Sequence, residues 1–272
     1  MSRLGQHFLA DPHLLRKIVA ALDPRLDDVV LEIGPGTGSL TSILAPQVGR
    51  LIAIERDRRL AEKLRETGSG KRETDRVTVI EGDALRVDWH ALILDASFPA
   101  SRFPFPGFKV LGNIPYYITT PLIAKALTPP LPERVVFLVQ REVADRLVAR
   151  PGTKQYGALS VGVQATCVVE RLFVVRAGAF RPPPKVDSAL VRLTPRAEPL
   201  VAADEAAALR TFVTACFSRR RKQLRNAVMA ATGKPRAVVS ELLEGLGLAA
   251  DTRPEAVSPE DFARLLRGSR QL

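Results

Sequence analysis

A strand, a glycine-rich loop and a helix follow one another near the start of this chain. The apolar run Val29–Ile33 predicts a buried strand, and the loop Gly34–Ser39 after it carries three glycines. Leu40–Leu44 then continues as a helix. Glycine lets the backbone turn tightly and lets a ligand approach it closely. This order therefore predicts a nucleotide-type binding unit at the end of the strand.

The same alternation continues along the chain. Strands are predicted at Arg50–Ile54 and Val77–Ile80, with a helix over Arg58–Glu66 between them. Strands and helices that alternate at this spacing predict an α/β fold with a mostly parallel sheet and right-handed crossovers. Glu55 and Asp83 follow these two strands. Because parallel strands end at the same edge of a sheet, we expect both carboxylates to line one crevice.

The glycine spacing distinguishes between two kinds of cofactor. The dinucleotide fingerprint is Gly-x-Gly-x-x-Gly, whereas this chain has Gly34, Gly36 and Gly38, with Ser39 where the last glycine would stand. Such a loop better suits a ligand whose amino-acid tail crosses the glycines. The carboxylate after the second strand can accept from ribose hydroxyls, and the one after the third from an adenine amine. Either carboxylate alone could be a solvated loop residue, but the ordered set indicates S-adenosylmethionine.

A stiff polar motif follows the next predicted strand, Lys109–Gly112. It consists of Asn113, Ile114, Pro115 and Tyr116. The proline fixes its own φ and removes a backbone donor. The asparagine oxygen and a main-chain carbonyl of Ile114 or Pro115 can accept both hydrogens of an amine, while a flat group stacks on the aromatic ring. The motif therefore predicts a site that holds the exocyclic amine of a nucleic-acid base.

Methyl transfer to adenine N6 suits such a site. The N6 lone pair is delocalised into the ring, so the amine is a poor nucleophile until two acceptors pull the nitrogen toward tetrahedral geometry. Alignment is then mainly a positioning effect. Because the leaving group is a sulfonium, the chemistry requires no metal and no general acid. The base must be unstacked to reach the site. Taken alone, Tyr116 and Phe180 read as core aromatics, and only their places in the motif series given below make them the candidate rings to sandwich the base.

The second half of the chain changes from strands to helices. Leu159–Val169 and Ser188–Leu193 are β-like and predict an antiparallel hairpin at the sheet edge, and Pro195–Ala203 reads as a linker. Helices are then predicted near residues 204–217, 219–231, 235–246 and 259–267. We expect a cofactor-binding domain over residues 1–198 and a small all-helical domain over residues 199–272.

The chain is strongly basic, with 40 Lys and Arg against 29 Asp and Glu and a formal charge of +11. This balance favours a polyanionic partner. Positive charge is concentrated in Arg219, Arg220, Arg221, Lys222 and Arg225. Cations at a helix start oppose the helix dipole, so helix stability does not explain the run. A solvated face and phosphate contact both remain open; we expect these residues to bind RNA, with strong salt dependence.

Cysteine, histidine and hydropathy argue against several other classes. Cys167 and Cys216 are isolated in apolar surroundings, which fits a reducing compartment rather than a disulfide scaffold. His7, His13 and His90 form no ligand-spaced cluster with them, so we expect no metal site. No apolar run approaches the roughly 20 residues that span a bilayer, and the N-terminus has no signal pattern. We expect a cytoplasmic, monomeric protein.

Five motifs follow one another in the order of a known family. They are Gly5–Leu9, Leu31–Gly38, Asn113–Tyr116, Phe180–Ser188 and Phe217–Lys222. Together they resemble the motif series of the ribosomal RNA adenine N6,N6-dimethyltransferases, in particular the bacterial small-subunit members. The resemblance covers nearly the whole chain. It implies a Rossmann-like class I methyltransferase domain, a small helical domain, and dimethylation of two adjacent adenosines near the 3′ end of 16S rRNA in a late assembly particle of the 30S subunit.

The resemblance also implies which residues act. Cofactor contacts of the family correspond to His7, Leu9, Gly34, Glu55, Asp83 and Asn113. The family frequently has Asn at the position of His7, which favours a main-chain contact there. The residues expected at the reacting amine are Asn113, Pro115, Tyr116 and Phe180.

Three alternatives remain open from the sequence. The large-subunit rRNA methyltransferases share the first motifs, although the Phe180–Ser188 motif and the arginine-rich run favour the small-subunit type. The protein could also act chiefly as a ribosome-assembly factor whose binding matters more than its methylation. An NAD-dependent oxidoreductase is the third alternative, since such enzymes also place a glycine loop after the first strand.

Overall fold

The computed structural model describes residues 7–68, 76–94, 107–218 and 222–271. Its strands are β1 (Phe8–Leu9), β2 (Val29–Ile33), β3 (Arg50–Glu55), β4 (Val77–Glu81), β5 (Phe108–Asn113), β6 (Arg134–Gln140), β7 (Cys167–Val175), β8 (Phe180–Arg181) and β9 (Ser188–Pro195). Its α-helices are α1 (Pro12–Leu22), α2 (Thr41–Leu44), α3 (Arg58–Gly68), α4 (Trp89–Leu94), α5 (Thr119–Ala126), α6 (Arg141–Leu147), α7 (Ala158–Gln164), α8 (Glu205–Phe217), α9 (Leu224–Thr232), α10 (Arg236–Gly245) and α11 (Pro259–Arg270).

The chain forms two compact units. The first comprises Met1–Ala144 and Glu170–Thr194, and the second comprises Asp145–Val169 and Pro195–Leu272. The chain passes from the first unit to the second for the last time between Thr194 and Pro195, four residues before the boundary expected from the sequence. Residues 145–169, which the sequence placed in the first domain, group with the helical unit instead. Tyr156 and Val161 from that segment are fully buried in the helical core, which explains the difference.

The large sheet has the strand order β4-β3-β2-β5-β6-β9-β7. The first five of these strands pair in parallel, and β9 pairs antiparallel to β6. Strands β3 and β4 lie on one side of β2, and β5 and β6 lie on the other. The strand order therefore reverses direction at β2, and ligands bind at the carboxyl end of such a switch point. In the register, Ile33 lies opposite both Ile54 and Gly112. Gly34, Glu55 and Asn113 consequently emerge side by side at one edge.

A second, two-stranded sheet joins the N-terminal motif to the motif near residue 180. β1 pairs antiparallel with β8, with Phe8 opposite Arg181 and Leu9 opposite Phe180. The chain then enters α1, which Asp11 caps by accepting hydrogen bonds from the backbone N–H groups of the first turn. This pairing brings two motifs that are far apart in sequence to the same place.

One sequence-based assignment is wrong. Residues 159–166 were expected to be β-like, but α7 occupies Ala158–Gln164 and the strand begins only at Cys167. Every residue from Ser160 to Val163 is buried, so the sequence of this short helix lacks the alternation of apolar and polar residues that marks a surface helix. A short apolar run with two valines is also typical of a buried strand. The two late strands were expected at the edge of the sheet, and β9 and β7 are the last two strands in its order.

The helical unit has its own apolar core. Tyr156, Phe212, Phe217 and Phe262 are its aromatic members, and the Tyr156 hydroxyl donates to the Val257 carbonyl at 2.8 Å. The predicted helix at 219–231 begins at Leu224 in the described residues. Most of the proline-rich segment 95–107, to which the sequence assigns no role, lies outside the described ranges. Within those ranges, no helix combines the length and apolarity that a membrane crossing requires.

Candidate active site

A cavity in the first unit lies at the carboxyl ends of the central strands. Its walls come from the N-terminal motif, the glycine loop, the end of β3, the Asn113 motif and β8. Its lining includes the sequence-predicted residues His7, Leu9, Gly34, Glu55, Asn113, Pro115, Tyr116 and Phe180. Asp83 is outside this lining, in the loop after the neighbouring strand β4. The structure therefore brings together eight of the nine residues predicted for the cofactor and the reacting amine.

The glycine loop has the backbone conformation that the sequence predicts. Gly34, Gly36 and Gly38 have φ of +67°, +60° and +82°, in the left-handed region that residues with a Cβ rarely adopt. A Cβ built on Gly36 would lie 2.8 Å from Cε1 of Phe8. The N-terminal strand thus packs directly on a loop that has room only for glycine.

Glu55 is fixed by two backbone N–H groups. Its Oε2 accepts from Gly36 N at 3.0 Å and its Oε1 from Asp57 N at 2.8 Å. The residue is only 4% exposed, and burial raises the pKa of the carboxyl while the backbone hydrogen bonds oppose that rise. A carboxylate has about four acceptor positions. Acceptor capacity therefore remains on this carboxylate for ribose hydroxyls.

Asp83 begins a tight loop after β4. Its Oδ1 accepts from Leu85 N at 2.9 Å, and its Oδ2 lies 4.0 Å from Nη1 of Arg56. The carboxylate is partly exposed, so it can still accept a hydrogen bond from a ligand amine. This arrangement suits the predicted contact with adenine.

Two side chains hold the Asp83 loop from behind. Trp89 Nε1 donates to the Ala84 carbonyl at 2.9 Å. Lys125 Nζ donates to the carbonyls of Leu85 and Val87 at 2.8 and 2.6 Å. Lys125 also lies 5.5 Å from the centre of the Trp89 ring, and burial lowers the pKa of its ammonium group. These contacts tie the Asp83 loop to α5, the helix that follows the Asn113 motif.

The side-chain amide of Asn113 has a defined orientation. Its Nδ2 donates to the main-chain carbonyl of His7 at 2.9 Å. A carbonyl partner requires the nitrogen on that side, which identifies the other amide atom as Oδ1. Among the described residues, no hydrogen bond to this oxygen is present, so it can accept from a ligand.

The two carbonyls next to Asn113 differ. The Pro115 oxygen accepts from Ile118 N at 3.1 Å and from Thr119 Oγ1 at 3.4 Å. Within the part of the chain that the structure describes, the Ile114 oxygen has no comparable donor. The sequence left the choice open and favoured Pro115 as a site residue. The geometry favours Ile114 as the second acceptor, with Pro115 shaping the turn.

The two candidate rings also differ. Tyr116 is partly exposed, and its hydroxyl lies 2.9 Å from Ser188 Oγ; burial raises the pKa of this phenol. Phe180 is 1% exposed and packs in the hydrophobic core that includes Leu9. Phe180 therefore forms a wall of the cavity, and Tyr116 is the more exposed of the two rings. The imidazole of His7 lies 6.0 Å from the Tyr116 ring and bonds to the Pro182 carbonyl at 2.8 Å.

Glu32 is a buried carboxyl beside the cavity, two positions before the glycine loop, to which the sequence assigned no role. It lies inside β2 with 1% exposure, and its Oε2 accepts from Thr41 Oγ1 at 2.8 Å. Its Oε1 is buried and has no hydrogen-bond partner among the described residues. Burial raises the pKa of the carboxyl to about 7. The available signal was an acidic residue within an apolar strand, two positions before the first glycine of the loop.

The predicted RNA contacts are described only in part. Arg219, Arg220 and Arg221 lie outside the described residues. Lys222 is exposed just before α9, and Arg225 is half-buried in the first turn of that helix. Lys222 also lines an open groove along α9 with Asn226, Met229, Ala230, Gly233 and Lys234. The lysines at the two ends of this groove give it a positive charge.

Comparison with known proteins matches almost the whole chain. The model of the ribosomal RNA adenine dimethylase family matches residues 1–267. The ribosomal RNA small subunit methyltransferase A of Geobacter metallireducens is 41% identical over 266 residues, which cover 97% of this chain and 93% of that protein. The protein of the same name from Acidobacterium capsulatum is 42% identical over 268 residues, covering 97% and 89% of the two chains.

Solved structures agree with the sequence comparison. A dimethyladenosine transferase from Plasmodium falciparum matches with a TM-score of 0.79 and 29% identity, over 97% of this chain and 98% of that one. The 23S rRNA methyltransferase ErmE matches with a TM-score of 0.70 and 30% identity, over 97% and 100% of the two chains. The predicted Rossmann-like methyltransferase fold is confirmed, and the oxidoreductase alternative is excluded. The chain therefore belongs to the ribosomal RNA adenine dimethylase family.

Proposed function

We propose that this chain transfers methyl groups from S-adenosylmethionine to N6 of two adjacent adenosines near the 3′ end of 16S rRNA. The substrate would be the 30S subunit or its precursor, and the protein would act as a monomer that contributes to subunit maturation. The observation that carries the proposal is the fixed amide of Asn113, whose free oxygen shares one cavity with Glu55 and the glycine loop.

The residues present suit the cofactor. The left-handed glycines give the amino-acid end a backbone surface without side chains. Glu55 retains acceptor capacity for ribose, and the Asp83 carboxylate is partly exposed toward adenine. S-adenosylmethionine supplies an activated methyl group on a sulfonium. The protein then has to hold the nucleophile rather than generate it.

The chain's own groups can hold adenine N6 in a reactive geometry. Asn113 Oδ1 and the Ile114 carbonyl accept the two N–H hydrogens, which directs the nitrogen lone pair away from both acceptors. Tyr116 offers its exposed face to the purine ring, and its hydroxyl is anchored at Ser188. Most of the rate effect is then positional, because two partners are held in one orientation before reaction.

The small-subunit substrate is favoured over the large-subunit one. The 41–42% identical relatives carry the small-subunit name over almost their whole length. ErmE, a 23S rRNA methyltransferase, is 30% identical to this chain. The exposed Lys222 and the positive groove along α9 suit contact with folded RNA, where phosphates and shape supply most of the recognition.

The test is a methyl-transfer assay on defined particles. The full-length protein is incubated with S-adenosylmethionine carrying a radiolabelled methyl group and with unmethylated 30S or 50S particles, and the label is mapped. We expect label on N6 of two adjacent adenosines near the 3′ end of 16S rRNA. Absence of label from adenine N6, or label confined to 23S rRNA, would overturn the proposal.

A further inference from the structure

Arg56 and Tyr117 contact each other beside the cofactor-binding residues. Arg56 directly follows Glu55 at the end of β3, and Tyr117 directly follows Tyr116 after β5. Nη1 of Arg56 donates to the Tyr117 hydroxyl at 3.3 Å. Strands β3 and β5 flank β2 on opposite sides. The contact therefore bridges the two strand ends on either side of the glycine loop.

Core packing does not account for either residue. The Tyr117 residue is 58% exposed, and the Arg56 side chain is 54% exposed. A tyrosine with this exposure gains little from apolar burial. The Arg56 guanidinium nevertheless has a fixed place, because the same Nη1 lies 4.0 Å from Oδ2 of Asp83. Two flat groups are thus held, largely exposed, next to the carboxylate that suits an adenine amine.

We propose that Arg56 and Tyr117 form a clasp over the adenosine half of S-adenosylmethionine. The inference rests on the proposed function, since it assumes that Glu55 receives the ribose and Asp83 the adenine. Arg56 supplies the contact surface, because a planar guanidinium stacks on an aromatic ring and carries positive charge to its π-face. Tyr117 is a positioning residue that fixes the guanidinium through its hydroxyl.

The clasp has a definite chemical consequence. It touches the part of the ligand that is the same before and after methyl transfer, so it strengthens binding of S-adenosylmethionine and S-adenosylhomocysteine equally. It also does not touch the reacting nitrogen. Loss of the clasp should therefore lower the affinity for both ligands by the same factor.

The experiment measures binding by titration calorimetry with the full-length protein. The variants are Arg56→Ala and Tyr117→Phe, and the matched control is Arg58→Ala, which removes the same charge from a side chain that pairs with Glu62 on the surface. The ligands are S-adenosylmethionine, S-adenosylhomocysteine and 5′-methylthioadenosine, which lacks the amino-acid end.

We expect Arg56→Ala to weaken binding of all three ligands by one common factor, about threefold to thirtyfold. Tyr117→Phe should weaken them about twofold to tenfold, and Arg58→Ala should match the wild type. The clasp is overturned if Arg56→Ala binds the three ligands normally, including the case where only its affinity for RNA falls. A wild-type protein that binds no S-adenosylmethionine contradicts the proposed function instead.

Discussion

Asn113 donates its side-chain amide to the main-chain carbonyl of His7, across 106 positions of sequence. The backbone of the N-terminal motif therefore decides which way the Asn113 oxygen points. His7 is in turn held through its imidazole at the Pro182 carbonyl. Three segments of the chain thus fix the orientation of one acceptor oxygen in the cavity.

Phe8 of the N-terminal strand packs against Gly36 of the glycine loop, so a side chain larger than that of glycine would meet it. We expect Gly36→Ala to weaken binding of S-adenosylmethionine at least about tenfold, because the new Cβ would meet Phe8 at 2.8 Å and the backbone would carry a positive φ. Titration calorimetry measures the effect. Adding Phe8→Ala should recover part of the affinity, because it removes the clash but not the φ penalty.

Gly152→Ala is the control for that experiment. Gly152 also has a positive φ, of +81°, but a Cβ there would meet nothing within 4 Å. It should lower stability slightly and leave cofactor affinity unchanged. Equal losses of cofactor affinity in Gly36→Ala and Gly152→Ala would contradict the role given to Phe8 and the loop.

The buried carboxyl of Glu32 should make stability depend on pH. Its pKa is raised from 4.5 to about 7 in the folded protein, so the folded state binds more protons than the unfolded state between these values. The unfolding free energy should therefore decrease as pH rises through this range, by up to about 3 kcal/mol from this group. Chemical denaturation at a series of pH values measures the slope.

Glu32→Gln removes the titration and should flatten that slope. The difference between wild type and variant isolates Glu32 from the other titrating groups. Glu62→Gln is the matched control, because it is the same substitution at an exposed position. It should leave the slope unchanged. A wild-type slope in the Glu32→Gln variant would show that the carboxyl is not the group responsible.

A buried ion pair is expected to stabilise the opposite end of the sheet. Lys109 Nζ donates to Asp28 Oδ2 and to the Asp23 carbonyl, each at 2.6 Å, and the Lys109 side chain is only 4% exposed. Lys109→Met should lower the unfolding free energy by about 3 kcal/mol, because it leaves the Asp28 charge buried without its partner. Urea denaturation measures the loss.

Two further variants separate charge pairing from packing. Lys109→Met combined with Asp28→Asn should be more stable than Lys109→Met alone, since no unpaired charge remains. Arg58→Met breaks an exposed pair with Glu62 and should stay close to wild type. If the double variant were the less stable one, pairing would not be the main contribution of Lys109.

The parallel part of the fold was predictable because each of its strands is a short apolar run that ends at a glycine, a carboxylate or a side-chain amide. The parallel register then places Glu55 and Asn113 on either side of Gly34. The helix at Ala158–Gln164 was not predictable from its pattern, since burial on all sides removes the helical period. Tertiary packing decided its conformation.

The residues that line the site could be predicted from the sequence, but the contacts that orient them could not. Sequence alone selects Asn113 as an acceptor, yet the partner that orients it lies at His7, too far along the chain for any local pattern. The same limit applies to Pro115, whose carbonyl is already occupied by the following turn. Phe180 is an aromatic residue in a motif, and only its burial shows that it forms a wall.

The assembly role can be separated from methylation with one substitution. Asn113→Ala should leave the exposed basic surface at Lys222 intact and should bind 30S particles with wild-type affinity. Subunit profiles of cells that carry this variant then report on binding alone. Normal subunit maturation without methylation would assign the larger role to binding, whereas a maturation defect equal to that of a deletion would assign it to methyl transfer.

The most direct test of the central claim is to count methyl groups on adenine N6 made by the wild type and by Asn113→Ala. Nucleosides from unmethylated 30S particles are quantified by mass spectrometry after incubation at saturating S-adenosylmethionine, and cofactor affinity is measured in parallel. We predict N6,N6-dimethyladenosine with the wild type and at least about a hundredfold slower formation with Asn113→Ala, at cofactor concentrations that saturate each protein. Dimethylation by Asn113→Ala at the wild-type rate would contradict the role given to the Asn113 oxygen.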